Sequence, residues 1–341
     1  MVAWIGAGVL LIILLLLWLV PQYGLNQITR MKKSTYEMCL NILEQCNIFS
    51  KQQFDDCKKE QVYVYSRDGL KLHGYYVEKY PHSKRTIVIV HGYTSALTWS
   101  AQFMDMFFRQ GFNVLLVDQR RHGQSEGEYT TYGYYEKYDI QAWVDWIIAR
   151  KGEQAVIGLH GQSLGGGTVL EYVSIHSPQV RFVIADCPYS DLTTLLKYQI
   201  SKLNHMPTWP FLKLIDRLLH RKAGFRMQDV SPERAIAESD LPIMFVHGAA
   251  DKYVPTYMSE RMYDIKQGPK KLLLIEGAEH AVAYCVNKQQ YEEAVVEFVV
   301  HTIGKPTEEE WSEASPVYST EAQVQTEAGA FAVGQDPAPI S

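Results

Sequence analysis

A serine between two glycines, in the sequence GQSLG at residues 161–165, is the side chain best placed to act as a nucleophile. The apolar run 155–159 precedes it and predicts a buried strand, and residues 166–173 predict a helix. A serine at such a sharp turn is held in a strained backbone conformation, and larger flanking residues would clash there. The pattern therefore predicts that Ser163 attacks a carbonyl carbon, although glycine–serine–glycine sequences also occur in ordinary loops.

A serine hydroxyl needs a histidine to accept its proton, and that histidine needs a carboxylate to orient it. Two residues follow Ser163 in the required order, each just after a predicted strand, namely Asp251 and then His280. Asp186, at the end of another predicted strand, is the alternative acid. Four further histidines occur in loops near the same predicted sheet edge or just before the serine: His91, His122, His160 and His247. His280 is the predicted base because it alone follows both the last strand and an acid.

Acyl transfer also needs backbone N–H groups to stabilise the oxyanion that forms on the carbonyl oxygen. One predicted donor is Leu164, directly after the serine, and the other is Tyr93 in the loop after an early buried strand. A second loop, 118–125, follows the next strand. We interpret it as a tight turn held by Asp118 and an arginine.

Short apolar runs that alternate with helical patterns predict a mostly parallel sheet of about eight strands with helices on both faces. An Asp-Gly turn at Asp68 predicts an antiparallel hairpin at the start of this domain, which we place at residues 61–303. Two amphipathic patterns within 192–232 predict a small helical cap over the sheet, with ordinary crossover helices as the alternative.

The segment from Val2 to Val20 is uncharged and apolar, with Trp4 and Trp18 near its ends. This length and pattern predict a transmembrane anchor at 1–22, with a cleaved signal peptide as the competing interpretation. Basic residues follow the span and favour a cytoplasmic catalytic domain: Arg30, Lys32 and Lys33. Residues 23–60 predict a helical stalk or a helix packed on the domain, and 304–341 has the composition of a disordered tail.

The overall composition excludes several classes of protein. The net charge is −5, and no basic block indicates nucleic-acid binding. The small cluster at 220–222 is interpreted as a solvated helix end. The five cysteines have no metal-binding spacing and form no even disulfide framework, so we expect neither a metal nor an organic cofactor.

Five motifs occur in the order found in the α/β-hydrolase superfamily, which the chain resembles over about residues 61–302. They are His91-Gly92, the D-x-R-x-H-G-x-S sequence at 118–125, the serine pentapeptide, His247-Gly248-x-x-Asp251 with Val254-Pro255, and Gly277-x-x-His280. Within the superfamily the chain is similar to membrane-anchored serine hydrolases and to the serine aminopeptidase-like and monoacylglycerol-lipase-like branches. The resemblance implies an α/β-hydrolase fold, the triad Ser163, Asp251 and His280, and the oxyanion donors Tyr93 and Leu164.

The expected function is a serine hydrolase that cleaves carboxylic esters or thioesters through an acyl-enzyme. An apolar cap near a bilayer favours a small-molecule acyl ester or a lipid-like substrate. The alternatives are a serine peptidase on the same fold and a non-catalytic, membrane-tethered binding module. The fold by itself names no substrate.

Overall fold

The computed structural model describes residues 2–311 and residue 317. It contains one sheet of eight strands in the order β1-β2-β4-β3-β5-β6-β7-β8. The strands are β1 (Glu60–Tyr65), β2 (Lys71–Val77), β3 (Arg85–Val90), β4 (Asn113–Val117), β5 (Val156–Gln162), β6 (Val180–Asp186), β7 (Ile243–Gly248) and β8 (Lys270–Ile275). Strand β2 is antiparallel to both of its neighbours, and the other adjacent pairs are parallel. The predicted mostly parallel eight-stranded sheet and its N-terminal hairpin are confirmed.

Helices cover both faces of this sheet. The α-helices are α1 (Val2–Thr29), α2 (Tyr36–Gln45), α3 (Lys51–Asp56), α4 (Met104–Phe108), α5 (Glu136–Lys151), α6 (Leu164–Tyr172), α7 (Leu192–Tyr198), α8 (Phe211–Ala223), α9 (Pro232–Ile236), α10 (Tyr257–Ile265), α11 (Ala283–Val286), α12 (Lys288–Ile303) and α13 (Glu308–Trp311). Because helices cover both faces, every residue of the central strands β3 and β4 is buried. This burial explains why these strands are continuous apolar runs rather than alternating ones.

The N-terminal helix extends beyond the predicted boundary at residue 22 and continues to Thr29. By length and composition it could cross a membrane, and a signal sequence would pass the same test. Its first part is exposed, with Trp4 at 83% and Trp18 at 62% of full exposure, whereas Leu25 and Ile28 are buried against the domain. The two parts of this helix therefore have different surroundings.

The segments on either side of the predicted domain pack against it. Helices α2 and α3 contribute buried apolar residues such as Leu43 and Phe54 to the core, so residues 36–56 are packed on the domain rather than extended away from it. At the other end, the Arg85 guanidinium donates to the carbonyls of Gly304 and Lys305 at 3.0 and 2.8 Å. The described chain thus continues past 304. Val317 is also described and is buried, and its carbonyl accepts from the Lys58 N–H at 2.8 Å. Residues 312–316 and 318–341 of the predicted tail lie outside the described residues.

Between β6 and β7 the chain forms α7, α8 and α9, in the region predicted as a cap. Helix α7 continues into one turn of π-helix, and this segment reaches the loop after β7. There Tyr198 Oη donates to the carbonyl of Lys252 at 3.0 Å. Since that loop leaves the carboxyl edge of the sheet, this contact supports the cap rather than an ordinary crossover.

Candidate active site

The turn between β5 and α6 places Ser163 in a strained conformation, with φ 54° and ψ −112°. Both flanking positions must be glycine, because any side chain there would clash with the backbone. A Cβ added at Gly161 would lie 2.2 Å from the carbonyl oxygen of Gly165, and one added at Gly165 would lie 2.2 Å from that of Val90. The turn is therefore the sharp strand-to-helix turn that the sequence predicts.

The structure brings together three of the predicted site residues, which are far apart in the sequence. His280 Nε2 lies 2.8 Å from Ser163 Oγ, and His280 Nδ1 lies 2.7 Å from Asp251 Oδ2. Ser163 is 9% exposed, and the side chain of His280 is 19% exposed. A proton can thus pass from the hydroxyl to the imidazole while the carboxylate holds the other ring nitrogen.

Asp251 is fixed by three further contacts. The backbone N–H groups of Tyr253 and Val254 donate to Oδ1, each at 2.9 Å, and His247 Nε2 lies 3.1 Å from Oδ2. Burial acts to raise the pKa of this carboxyl, but its hydrogen bonds and electrostatic interactions with His247 and His280 outweigh that effect. The pKa is therefore well below the usual value, and Asp251 stays ionised.

Asp186, the alternative acid, has the opposite environment. It is completely buried, and burial raises the pKa of its carboxyl. Its Oδ2 accepts from Gln162 Nε2 at 2.9 Å and from Tyr291 Oη at 3.3 Å, and its hydrogen bonds include none to His280. The geometry therefore assigns the position beside the imidazole to Asp251.

The predicted oxyanion donors lie on both sides of the serine. Leu164 begins α6, and a Cβ at Gly92 would lie 3.4 Å from Ser163 Cβ, so the loop that carries Tyr93 is next to the serine. No hydrogen bond among the described residues uses the N–H of Tyr93 or Leu164. The Tyr93 hydroxyl donates to the carbonyls of Gln27 and Ile28 at the end of α1, at 2.9 and 2.6 Å.

One group near the site could hold a metal ion by distance alone. Ligand atoms of Cys187, Asp251 and His280 all lie within 4.8 Å of one another. However, both nitrogens of His280 already face Ser163 and Asp251, and burial raises the pKa of the Cys187 thiol, which opposes a thiolate ligand. The arrangement fits proton transfer better than metal binding.

Sequence reasoning missed the role of His247 in this site. Its ring lies between Ser259 and Asp251. Nδ1 is 2.7 Å from Ser259 Oγ, and Nε2 is 3.1 Å from Asp251 Oδ2. The spacing of four residues between His247, near the end of β7, and Asp251, in the loop that follows, is the signal that could have found it. The other predicted loop, 118–125, is held by Asp118 as expected, but Arg120 pairs with Asp139 at 2.7 Å and not with Asp118.

A family model described as "Serine aminopeptidase, S33" matches residues 81–231. The chain is 37% identical to YqkD of Bacillus subtilis over 250 residues, which cover 73% of this chain and 81% of that protein. It is 26% identical to YfhR of Escherichia coli K12, over 73% of this chain and 83% of that protein.

Solved structures with the same fold include the Pyrococcus furiosus esterase Pf2001. That structure has a TM-score of 0.59 and 22% identity, and the match covers 73% of this chain and 94% of the esterase. The acylaminoacyl peptidase of Pyrococcus horikoshii matches with a TM-score of 0.58 and 18% identity, over 75% of this chain and 44% of the peptidase. With the sheet order and the serine turn described above, these findings show that the chain belongs to the α/β-hydrolase superfamily.

Proposed function

We propose that this hydrolase is a serine hydrolase that cleaves carboxylic esters or thioesters through an acyl-enzyme. The observation that carries the proposal is the continuous hydrogen-bonded series from Ser163 Oγ through His280 to Asp251, at 2.8 and 2.7 Å. Each contact is within the range expected for a nucleophile, its base and the group that orients the base.

In the proposed reaction His280 Nε2 takes the hydroxyl proton as Ser163 Oγ bonds to the acyl carbon. The ionised Asp251 stabilises the resulting imidazolium, and the N–H groups of Tyr93 and Leu164 stabilise the oxyanion. His280 then gives the proton to the departing alcohol or thiol. A water molecule, deprotonated by the same ring, releases the acid and restores the serine.

The surroundings of the serine favour an apolar acyl group. Leu164, which follows it, belongs to a buried apolar cluster that also contains Tyr189, Leu192, and Leu25 and Ile28 of α1. Apolar side chains of this kind line the sites of lipid-like substrates, with few polar groups. A small-molecule acyl ester therefore fits the site better than a charged metabolite.

Peptidase activity is the second candidate because the matching family model is named for an aminopeptidase. A site for a peptide amine would need a free carboxylate in the cap. The two acids that the sequence offers there are used locally: Asp216 pairs with Arg226 at 2.9 Å, and Asp229 Oδ2 accepts from the Arg226 N–H at 2.8 Å. Their pairing favours an ester over a peptide substrate.

We also propose that α1 is an uncleaved membrane anchor with the hydrolase domain on the cytoplasmic side. The burial of Leu25 and Ile28 supports this, because the helix that leaves the domain is continuous with the apolar span. The basic residues after the span support the orientation. A cysteine-accessibility assay on intact cells tests which membrane face carries the domain.

The experiment that tests the reaction is hydrolysis of p-nitrophenyl esters of graded acyl length, with aminoacyl amides measured in parallel. Ser163→Ala should lower kcat by about 10⁴–10⁶-fold. The matched control, Ser174→Ala, removes an exposed hydroxyl beyond the end of α6 and should have wild-type kinetics. If a fluorophosphonate probe fails to label Ser163 in the folded protein, the proposal is wrong and a binding module is favoured.

A further inference from the structure

The exposed face of α8 is rich in basic side chains, and no ion pair among the described residues includes any of them. Lys213, Arg217, His220, Arg221 and Lys222 are all exposed. The acid in this helix, Asp216, is half-buried and pairs with Arg226. Neither the proposed chemistry nor the packing of the domain explains this basic face.

Helix α8 also packs against the end of α1. Lys222 Nζ lies 2.9 Å from Gln22 Oε1, and a Cβ at Gly24 would lie 2.6 Å from Ile215 Cδ1. Helix α8 is therefore held directly on the part of α1 that follows the apolar span.

The contact between α8 and α1 lies near the end of the apolar span. Trp18 is 62% exposed and occupies the position where tryptophan marks a membrane–water interface. Gln22 lies four residues further along α1, about 6 Å along its axis. This is the depth of the lipid headgroups, so Lys222 of α8, which contacts Gln22, lies at the level of the membrane surface.

Apolar side chains are exposed just before the same helix. Trp209 is 78% exposed and Met206 is 44% exposed, and both precede the first residue of α8. A short apolar segment with tryptophan, followed by a helix with a lysine- and arginine-rich face, is the pattern of segments that lie in a lipid interface. The loop with Trp209 and the basic face of α8 are adjacent in sequence, and α8 packs against α1.

We propose that α8, with the preceding loop that contains Trp209, binds the surface of a bilayer that contains anionic lipid. The basic side chains contact lipid phosphates, and Trp209 enters the headgroup layer. This surface contact would hold the cap at the membrane in addition to the anchor. The inference rests on the proposed anchoring by α1 and is independent of the esterase reaction.

The test measures the reactivity of individual lysines in the full-length protein. The chain is placed in nanodiscs of phosphatidylcholine with or without phosphatidylglycerol and labelled with a water-soluble amine reagent, and each site is quantified by mass spectrometry. Lys213 and Lys222 should react at least about fivefold more slowly in the anionic discs, and high salt should reduce the difference. Lys84 and Lys305, exposed at the opposite edge of the sheet, are internal controls and should react equally in both discs.

Two double variants distinguish an effect of the basic face of α8 from an effect of the protein's total charge. Arg217→Glu/Arg221→Glu should abolish most of the lipid-dependent protection of Lys213, because it reverses the charge of the face that contacts lipid. The matched control, Lys84→Glu/Arg181→Glu, changes the total charge equally at the opposite edge and should retain the protection.

Two outcomes would overturn the proposal. Equal reactivity of Lys213 in both discs would show that α8 does not contact lipid. Protection that is present in detergent and lost when residues 318–341 are removed would show that the C-terminal segment covers α8 instead. Failure of the chain to enter discs at all would contradict the anchor itself, and that result is distinguishable because it is read from co-elution rather than from labelling.

Discussion

Two histidine–aspartate pairs in this protein have nearly the same hydrogen bond and very different surroundings. His280 Nδ1 lies 2.7 Å from Asp251 Oδ2, and His73 Nδ1 lies 2.9 Å from Asp118 Oδ2. The second nitrogen of His280 faces Ser163 Oγ, and the ring is partly exposed. The second nitrogen of His73 faces Gln61 Nε2 at 3.1 Å, and the residue is fully buried.

The difference shows that the pair alone does not make a catalytic base. His73 is surrounded by the rings of Tyr36, Tyr63 and Tyr75, so no substrate can reach it. Asp118 also binds the backbone, accepting from the N–H of Leu97 at 2.9 Å. A nucleophile and an open side are what distinguish the pair at the candidate active site. The pair at His73 instead joins β2 to the neighbouring loops.

The largest expected effect separates the two pairs by reaction rate. Asp251→Asn should lower kcat by about 10⁴-fold, because the amide no longer fixes the imidazole in the productive tautomer or stabilises its charge. The measurement is ester hydrolysis by protein whose folding is verified by circular dichroism. Near-normal kcat in the folded variant would show that another residue is the acid that orients His280, and Asp186 would be the first to test.

The converse change should affect stability rather than chemistry. Asp118→Ala leaves the backbone N–H groups of Leu97 and Gln124 without their acceptor and should lower the free energy of unfolding by about 3 kcal/mol. Urea denaturation measures this change. At temperatures where the variant is folded, fluorophosphonate labelling of Ser163 should keep its wild-type rate, and a large loss of that rate would mean that the two regions are not independent.

Acid should act on Asp251 in a defined direction. Its pKa is lowered in the folded protein, so this carboxylate contributes stability above its unfolded pKa of about 3.9, and the contribution is lost as the pH falls towards the lower folded value. Asp251→Asn should therefore make the decrease in unfolding free energy below about pH 5 shallower than in the wild type. Asp186, whose folded pKa is raised, provides the contrast, since Asp186→Asn should make that decrease steeper. If the unfolding free energies of both variants fall with decreasing pH as steeply as that of the wild type, the environments assigned to Asp251 and Asp186 are wrong.

The smallest expected effect concerns the hydroxyl beside the buried pair. Tyr36 Oη lies 2.9 Å from His73 Nδ1 and also donates to Asp118. Tyr36→Phe removes these contacts but keeps the ring, so the free energy of unfolding should fall by about 1 kcal/mol. Thermal denaturation checks this value, and ester hydrolysis at about room temperature should be unchanged.

Local patterns were sufficient to predict the strands, the hairpin and the turn at Ser163. Each depends on short-range physics: continuous burial of β3, the positive φ of Gly69 in the hairpin turn, and the lack of space at Gly161. The order of residues along the chain also predicted which acid and which histidine meet the serine. Predictions were weaker where a segment packs on a distant part of the chain. Helix α1 continues past 22 because Leu25 and Ile28 bury their side chains on the domain, which no local pattern indicates.

The sequence alone determined the α/β class, the strand-to-helix turn and the residue types needed for acyl transfer, because these follow from hydrophobic periodicity and from steric limits at glycine. Only the tertiary structure revealed the second pair, His73 with Asp118, which has no nucleophile beside it, and the support that His247 gives to Asp251. Asp251, His247 and His280 are joined by side-chain contacts across two loops, and Tyr93 is joined to the end of α1. Such contacts depend on how separate elements pack, and a linear pattern carries no information about the distance between them.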